Sequence, residues 1–173
     1  HCTEMARKVA NDAMDVHGGK GVMMGPKNYL GRAFMATPIA ITVEGANILT
    51  RSLIIYGQGA IRCHPFVLRE LNAAGDEDID RGLIEFDDEL FGHVGYAISN
   101  MARSFFLALT HAKFSQVLLN TPTRRYYQNI NRYSAAFALA SDFAMLTLGG
   151  ALKKRELLSA RLGDILSSMY LAS

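Results

Sequence analysis

Apolar positions recur at helical spacing along most of the chain. Met5, Val9, Ala13 and Val16 repeat at intervals of three and four between Thr3 and His17, which predicts a helix with Thr3 as N-cap and Gly18-Gly19 as its stop. Five of the fifteen glycines fall between Gly18 and Gly31, so a loop follows, with room for a short helix from Pro26 to Met35. Ile39 to Val43 is a continuous apolar run and reads as the one strand-like segment, and one strand makes no sheet. A helix is predicted from Glu44 to about Arg62, and a shorter one from His64-Pro65 to Ala74, ended by Gly75. Leu90, Val94, Ile98, Met101, Phe105 and Leu109 trace a stripe extendable to Leu118. A turn at Asn120-Thr121-Pro122-Thr123 precedes a helix marked by Tyr133, Phe137, Ala140, Ala144 and Leu148, which Gly149-Gly150 ends. Leu158, Leu162, Ile165 and Met169 mark the last. The pattern predicts an all-α fold: a helical bundle with a glycine-rich loop in its first third (1–75), then a second helical lobe (76–173).

Composition narrows the class. A chain of 173 residues, half of them hydrophobic, buries a real core and is neither disordered nor fibrous. Cys2 and Cys63 are too few for a disulfide scaffold and lack metal-site spacing. The formal charge of +2 gives no global reason to expect nucleic acid as partner. Ser134 to Leu152 is strongly apolar but broken by Asp142 and Gly149-Gly150, so no membrane span is expected. The chain opens on His1 in a run already helical, without initiator Met, signal peptide or transit peptide, and is read as a piece of something longer.

Local charge is uneven. Asp76 to Glu89 holds eight acids and one base, Arg81, whereas Asn120 to Arg161 holds seven bases and two acids. Solvated faces or an intramolecular match between lobes account for both; Arg124-Arg125-Tyr126-Tyr127 also suits nucleic acid or, ahead of it, an anionic membrane surface, and Lys153 to Arg155 suit the membrane. His17, His64, His93 and His111 are scattered without a zinc-ligand pattern, which favours capping, turn or core roles and no metal. Gly18-Gly19-Lys20-Gly21 follows a helix rather than a strand, so it is either a helix C-cap or a backbone that approaches a phosphate closely. Glu44, followed by Gly45, is either a partner of a helix dipole or a general base wrapped by apolar neighbours.

Met14-Asp15-Val16-His17-Gly18-Gly19-Lys20-Gly21-Val22, and Ile41 to Arg51 about twenty residues later, resemble two paired motifs in the C-terminal helical domain of flavin-dependent acyl-coenzyme A dehydrogenases. The stretches Gln58 to Pro65 and Leu158 to Asp164 resemble bacterial long-chain members that carry an extra C-terminal helical region. The resemblance implies FAD as cofactor and acyl-CoA as substrate, with oxidation to trans-2-enoyl-CoA in fatty-acid β-oxidation. It places Glu44 as the base that removes the α-proton, and Glu44 and Gly45 against the substrate. Gly18, Gly19 and Gly21 fall on the loop facing the nucleotide end of a neighbouring subunit's flavin, and Ala46 and Asn47 on positions touching flavin after the base. Asp15, Val22, Val43 and Ala46 depart from the family's usual Gln, aromatic, aromatic and Thr. A homo-oligomer, an electron-transfer protein as acceptor and a cytoplasmic location, peripheral at the inner membrane, are the expectations that accompany it. The fragment is expected to be inactive alone. An acyl-CoA oxidase fragment and a non-catalytic helical assembly or membrane-docking module are the alternatives.

Overall fold

Helical periodicity is realised almost throughout the computed structural model, which describes residues 1–43, 45–117 and 122–173. The described residues form helices and connecting turns with no strand, as an all-α pattern requires. Helix α1 (Cys2–His17) stops at Gly18, whose N–H donates to the Met14 carbonyl with φ +53°. Thr3 is not its cap: the helix begins one residue earlier, and the Thr3 hydroxyl accepts from the Asn47 amide at 2.7 Å. After α2 (Gly19–Val22), the short helix expected from Pro26 begins only at Gly31, as α3 (Gly31–Ala36). Asn28 explains the delay. Its Oδ1 accepts the N–H groups of Leu30 and Gly31 at 2.9 and 2.7 Å, and its Nδ2 donates to the carbonyls of Gly21 and Met23 at 2.8 and 3.0 Å. A side chain that satisfies four backbone groups holds this turn without helical hydrogen bonds.

The strand expectation at Ile39 to Val43 is corrected to a helical turn, α4 (Ile39–Thr42). Pro38 has helical dihedrals, and its carbonyl accepts from the Thr42 N–H at 3.1 Å and the Thr42 hydroxyl at 2.8 Å. With no second strand to pair with, local closure wins over β propensity. The expected long helix is present from Asn47 onward. It comprises α5 (Asn47–Leu49), a wider π-type segment (Thr50–Gln58) and α6 (Gly59–Arg62).

Packing divides the chain into two units, His1–Thr50 and Arg51–Ser173. The divide drawn from sequence at 75/76 is therefore a corner inside the second unit, where α7 (Val67–Ala74) turns at Gly75 and packs back on α8 (Ile79–Leu109). In the first unit α1 carries α2, α3 and α4.

Helix α8 starts eleven residues before Leu90, because the acidic run forms its first turns. Asp78 is its N-cap and accepts the Arg81 N–H, and the clustered acids lie at the positive end of the helix dipole. It ends at Leu109 rather than near Leu118. The Thr110 hydroxyl bonds back to the Phe106 carbonyl, and His111 and Ala112 turn the chain at φ +48° and +55°. The expected turn at Asn120-Thr121 lies outside the described residues. Helix α9 (Arg124–Leu148) ends at Gly149 as expected, a 3₁₀ turn (Gly149–Lys154) follows, and α10 (Glu156–Ala172) closes the unit. Leu107 near the end of α8 meets Ala135 in the first half of α9, so the two run antiparallel. Tyr56, Ala144, Leu152 and Leu162 form the main core. Gly163 lets α10 approach closely, since a Cβ there would sit 2.7 Å from the Arg51 carbonyl oxygen. Two stretches, Gly31–Arg62 and Arg124–Lys154, are long and apolar enough to cross a membrane by length and composition alone, where none was expected. Within the second of them, α9 packs against α8 and α10, and Asp142 pairs with a histidine of its own unit.

Arg81 grips Asp76 through Nε and Nη2 at 2.6–2.9 Å, and with the Asp78 N–H holds that carboxyl below its ordinary value. A depressed folded-state value means that the stabilisation is complete above the unfolded carboxyl's value, about 3.9, and disappears as pH falls through the folded one. The Asp76 carboxyl, followed by NMR, is expected to titrate at lower pH in the native protein than after Arg81→Ala. An unchanged midpoint would remove the pair from the account.

Candidate functional site

Glu44, the expected base, lies outside the described residues, but its neighbour does not. Gly45 has φ +104° with only the Thr50 hydroxyl oxygen near a would-be Cβ, at 3.9 Å. Glycine is therefore required there by backbone conformation rather than by space. Ala46 precedes α5 in extended geometry, and the Asn47 Nδ2 is committed to Thr3.

The glycine loop divides in two. Would-be Cβ atoms on Gly18 and Gly19 meet nothing within 4 Å, and an open hollow lined by Val16, His17, Gly19, Lys20 and Met23 lies beside them. Exposed glycine backbone next to a lysine suits the approach of an anionic group such as a pyrophosphate. Gly21 does not belong to that surface. It is buried, and a Cβ there would press on Met14 Sδ at 3.1 Å and on His17 Cβ at 3.4 Å. His17 braces the loop: its Nδ1 donates to the Ala13 carbonyl at 3.0 Å, and its Nε2 accepts from the Tyr29 hydroxyl. Thr3, which Asn47 touches, and Gly18 are separated by fifteen positions of α1, roughly 22 Å along a helix. Asn47 and the glycine loop thus lie at opposite ends of α1.

The second unit holds a constellation that sequence reasoning did not assemble. A cavity of about 770 Å³ opens between α7, α8 and α9, mostly aliphatic, with Glu70, His93, Asp142 and Tyr56 in its lining. His93 Nδ1 donates to Glu70 Oε1 at 2.7 Å, which leaves Nε2 facing Asp142 Oδ1 at 3.9 Å. His64 Nδ1 accepts the N–H groups of Phe66 and Val67, both at 3.2 Å, and so caps α7, as one of its expected roles had it. That fixes its hydrogen on Nε2, which donates to Asp142 Oδ1 at 3.0 Å. Phe66 stacks on His93 at 5.8 Å and 8°, and Tyr96 meets His64 edge-on. Asp142 is buried, and among the described residues its Oδ2 has no hydrogen-bond partner and the Tyr56 hydroxyl, 2% exposed, has none of good geometry. Burial pushes the Tyr56 hydroxyl above its ordinary value; the nearby Ser141 hydroxyl draws it back, and the Asp142 charge raises it again. The one available signal was Asp142 itself, the sole charge in the apolar stretch from Ser134 to Leu152.

An all-helical unit of antiparallel helices around an apolar cavity defines the class. The family described as acyl-CoA dehydrogenase, C-terminal, bacterial type, matches residues 61–173, and the chain belongs to that family. The match covers His64, Glu70, His93 and Asp142 and begins after the glycine loop and Glu44. No solved structure matches the chain.

Proposed function

We propose that the chain is the C-terminal helical part of a FAD-dependent acyl-CoA dehydrogenase that oxidises acyl-CoA to trans-2-enoyl-CoA in bacterial fatty-acid β-oxidation. The observation that carries this reading is order along one chain: the family match begins at residue 61, and the Glu44-Gly45 and glycine-loop motifs stand directly upstream of it. In this reading Glu44 takes the α-proton of the acyl thioester and its backbone N–H donates to the thioester carbonyl. That donation is needed because an α-C–H is acidic enough only when the developing enolate oxygen is stabilised. The flavin, when bound, accepts the β-hydride. Gly18 and Gly19, open and beside Lys20, fit the nucleotide end of a flavin; Gly21 serves the packing of α1 instead. Ala46 and Asn47 follow the base, on the flavin side. Asn47 at one end of α1 and the glycine loop at the other, roughly 22 Å apart along the helix, support the two motifs serving different flavins in a homo-oligomer.

The acceptor of the electrons in this reading is an electron-transfer protein, and the location is the cytoplasm, with basic clusters such as Lys153 to Arg155 resting peripherally on the inner membrane. The chain alone is expected to retain no flavin and to show no acyl-CoA-dependent dye reduction. A longer protein that joins it to a flavin-binding β-domain shows both. Peroxide formed under air in place of dye reduction would assign an oxidase, and flavin-free function with salt-sensitive liposome binding would assign a docking module.

A further inference from the structure

The cavity between α8 and α9 combines an aliphatic wall with a floor rich in unsatisfied hydrogen-bond acceptors. We propose that it binds a single-chain amphiphile with a primary ammonium head, seated on Asp142 and His93, its alkyl tail laid along Val94, Ile98 and Met101 of α8 and Leu139, Phe143 and Leu146 of α9. This site is independent of the one read around Glu44.

The head group follows from the lone pairs. Asp142 Oδ1 is taken by His64, while Oδ2, on a side chain 8% exposed, has no donor. In its neutral form His93 spends its hydrogen on Glu70, and its Nε2 then presents a lone pair to the same space. The buried Tyr56 oxygen offers a third acceptor beside them. A primary ammonium brings three donors and one positive charge on a compact atom, which matches three acceptors and a buried carboxylate. The ionisable groups of the lining are Tyr56, Glu70, His93, Asp142 and Lys153; the Glu70 carboxylate faces His93, and Lys153 is an exposed residue on a flexible stem. A carboxylate or phosphate head would add an anion beside Asp142 and Glu70.

The cluster also has the outline of a metal site, since His64, His93 and Asp142 bring one ligand atom each within 4.8 Å of one another. The chemistry of His64 argues against it. Its Nδ1 lone pair already accepts two backbone N–H groups, so its Nε2 bears hydrogen and has no lone pair for a cation. Only His93 and Asp142 remain, fewer ligands than a zinc site uses. A volume of about 770 Å³ lies in the range of small-molecule pockets, typically about 300–1,000 Å³.

The test titrates the protein with octylammonium, 1-octanol, octanoate and zinc ion by calorimetry, each organic probe below its micellar concentration. Octylammonium is expected to bind saturably, one per chain, about tenfold more tightly than octanol, with octanoate weakest. Asp142→Asn should erase the preference for the amine and leave octanol binding unchanged. Because loss of a buried carboxylate threatens folding, Ala97→Phe provides the second arm. It lies one helical turn after His93 and fills the cavity where head and tail meet, and should abolish binding of amine and alcohol alike while helical circular dichroism is retained. Absence of saturable amine binding, octanoate binding as tightly as the amine, or full amine affinity in Ala97→Phe would each overturn the proposal. Stoichiometric zinc binding without amine binding would replace it with a metal site.

Discussion

Replacing Glu44 with Gln in a longer, flavin-loaded protein that contains this chain is expected to reduce acyl-CoA oxidation by several orders of magnitude while the flavin stays bound. The amide keeps the size of the side chain and the backbone N–H proposed to polarise the thioester carbonyl, but it cannot accept the α-proton. General base catalysis alone is worth about 10²–10⁴-fold. The loss is larger when no water can substitute, because the carbanion then has no other route to form. Flavin retention separates lost chemistry from lost structure, and it is read from the flavin absorbance of the purified variant. A variant that binds flavin and turns over at the parental rate removes Glu44 from the mechanism.

His64→Ala is expected to destabilise the second unit by about 3–5 kcal/mol, a large share of the roughly 5–15 kcal/mol that holds a domain together. The imidazole does two things at once. It supplies the hydrogen bond on buried Asp142, and it caps the N–H groups of Phe66 and Val67 at the start of α7. Truncation leaves a carboxylate in an apolar surround with no donor, and two backbone groups without an acceptor. Removing both partners of a buried pair costs less than removing one. The double variant His64→Ala/Asp142→Ala should therefore unfold at higher urea than His64→Ala alone. Additive losses in the double variant would show that the two side chains are not coupled.

The elements read correctly from sequence were those whose cause is local. Met5, Val9, Ala13 and Val16 repeat within one helix, and Gly18 and Gly149 end α1 and α9 through positive φ that only neighbouring residues set. The errors occurred where a local signal had two meanings. Ile39 to Val43 is apolar and β-branched, but the Pro38 carbonyl, taken by the Thr42 hydroxyl and N–H, closes it into a helical turn. The acids of 76–89 were read only as a charged face, and they are the capped first turns of α8. The end of α8 was hidden because His111 and Ala112, not glycine, adopt the left-handed turn. The cavity cluster was invisible for a different reason. His64 and Asp142 are 78 positions apart, and only the packing of α7, α8 and α9 brings His64, Glu70, His93 and Asp142 together. The motifs around Glu44 and the glycine loop rest on resemblance; within them Gly45 holds a backbone conformation that other residues rarely adopt, and Gly21 is buried against α1.

The most direct measurement of the central claim is α-proton exchange. A longer, flavin-loaded protein that contains this chain is incubated anaerobically with an acyl-CoA in D2O, and deuterium at the α-carbon is followed by NMR. The account predicts deuteration with Glu44 present and none above background in the Glu44→Gln variant. Equal deuteration in both would contradict it.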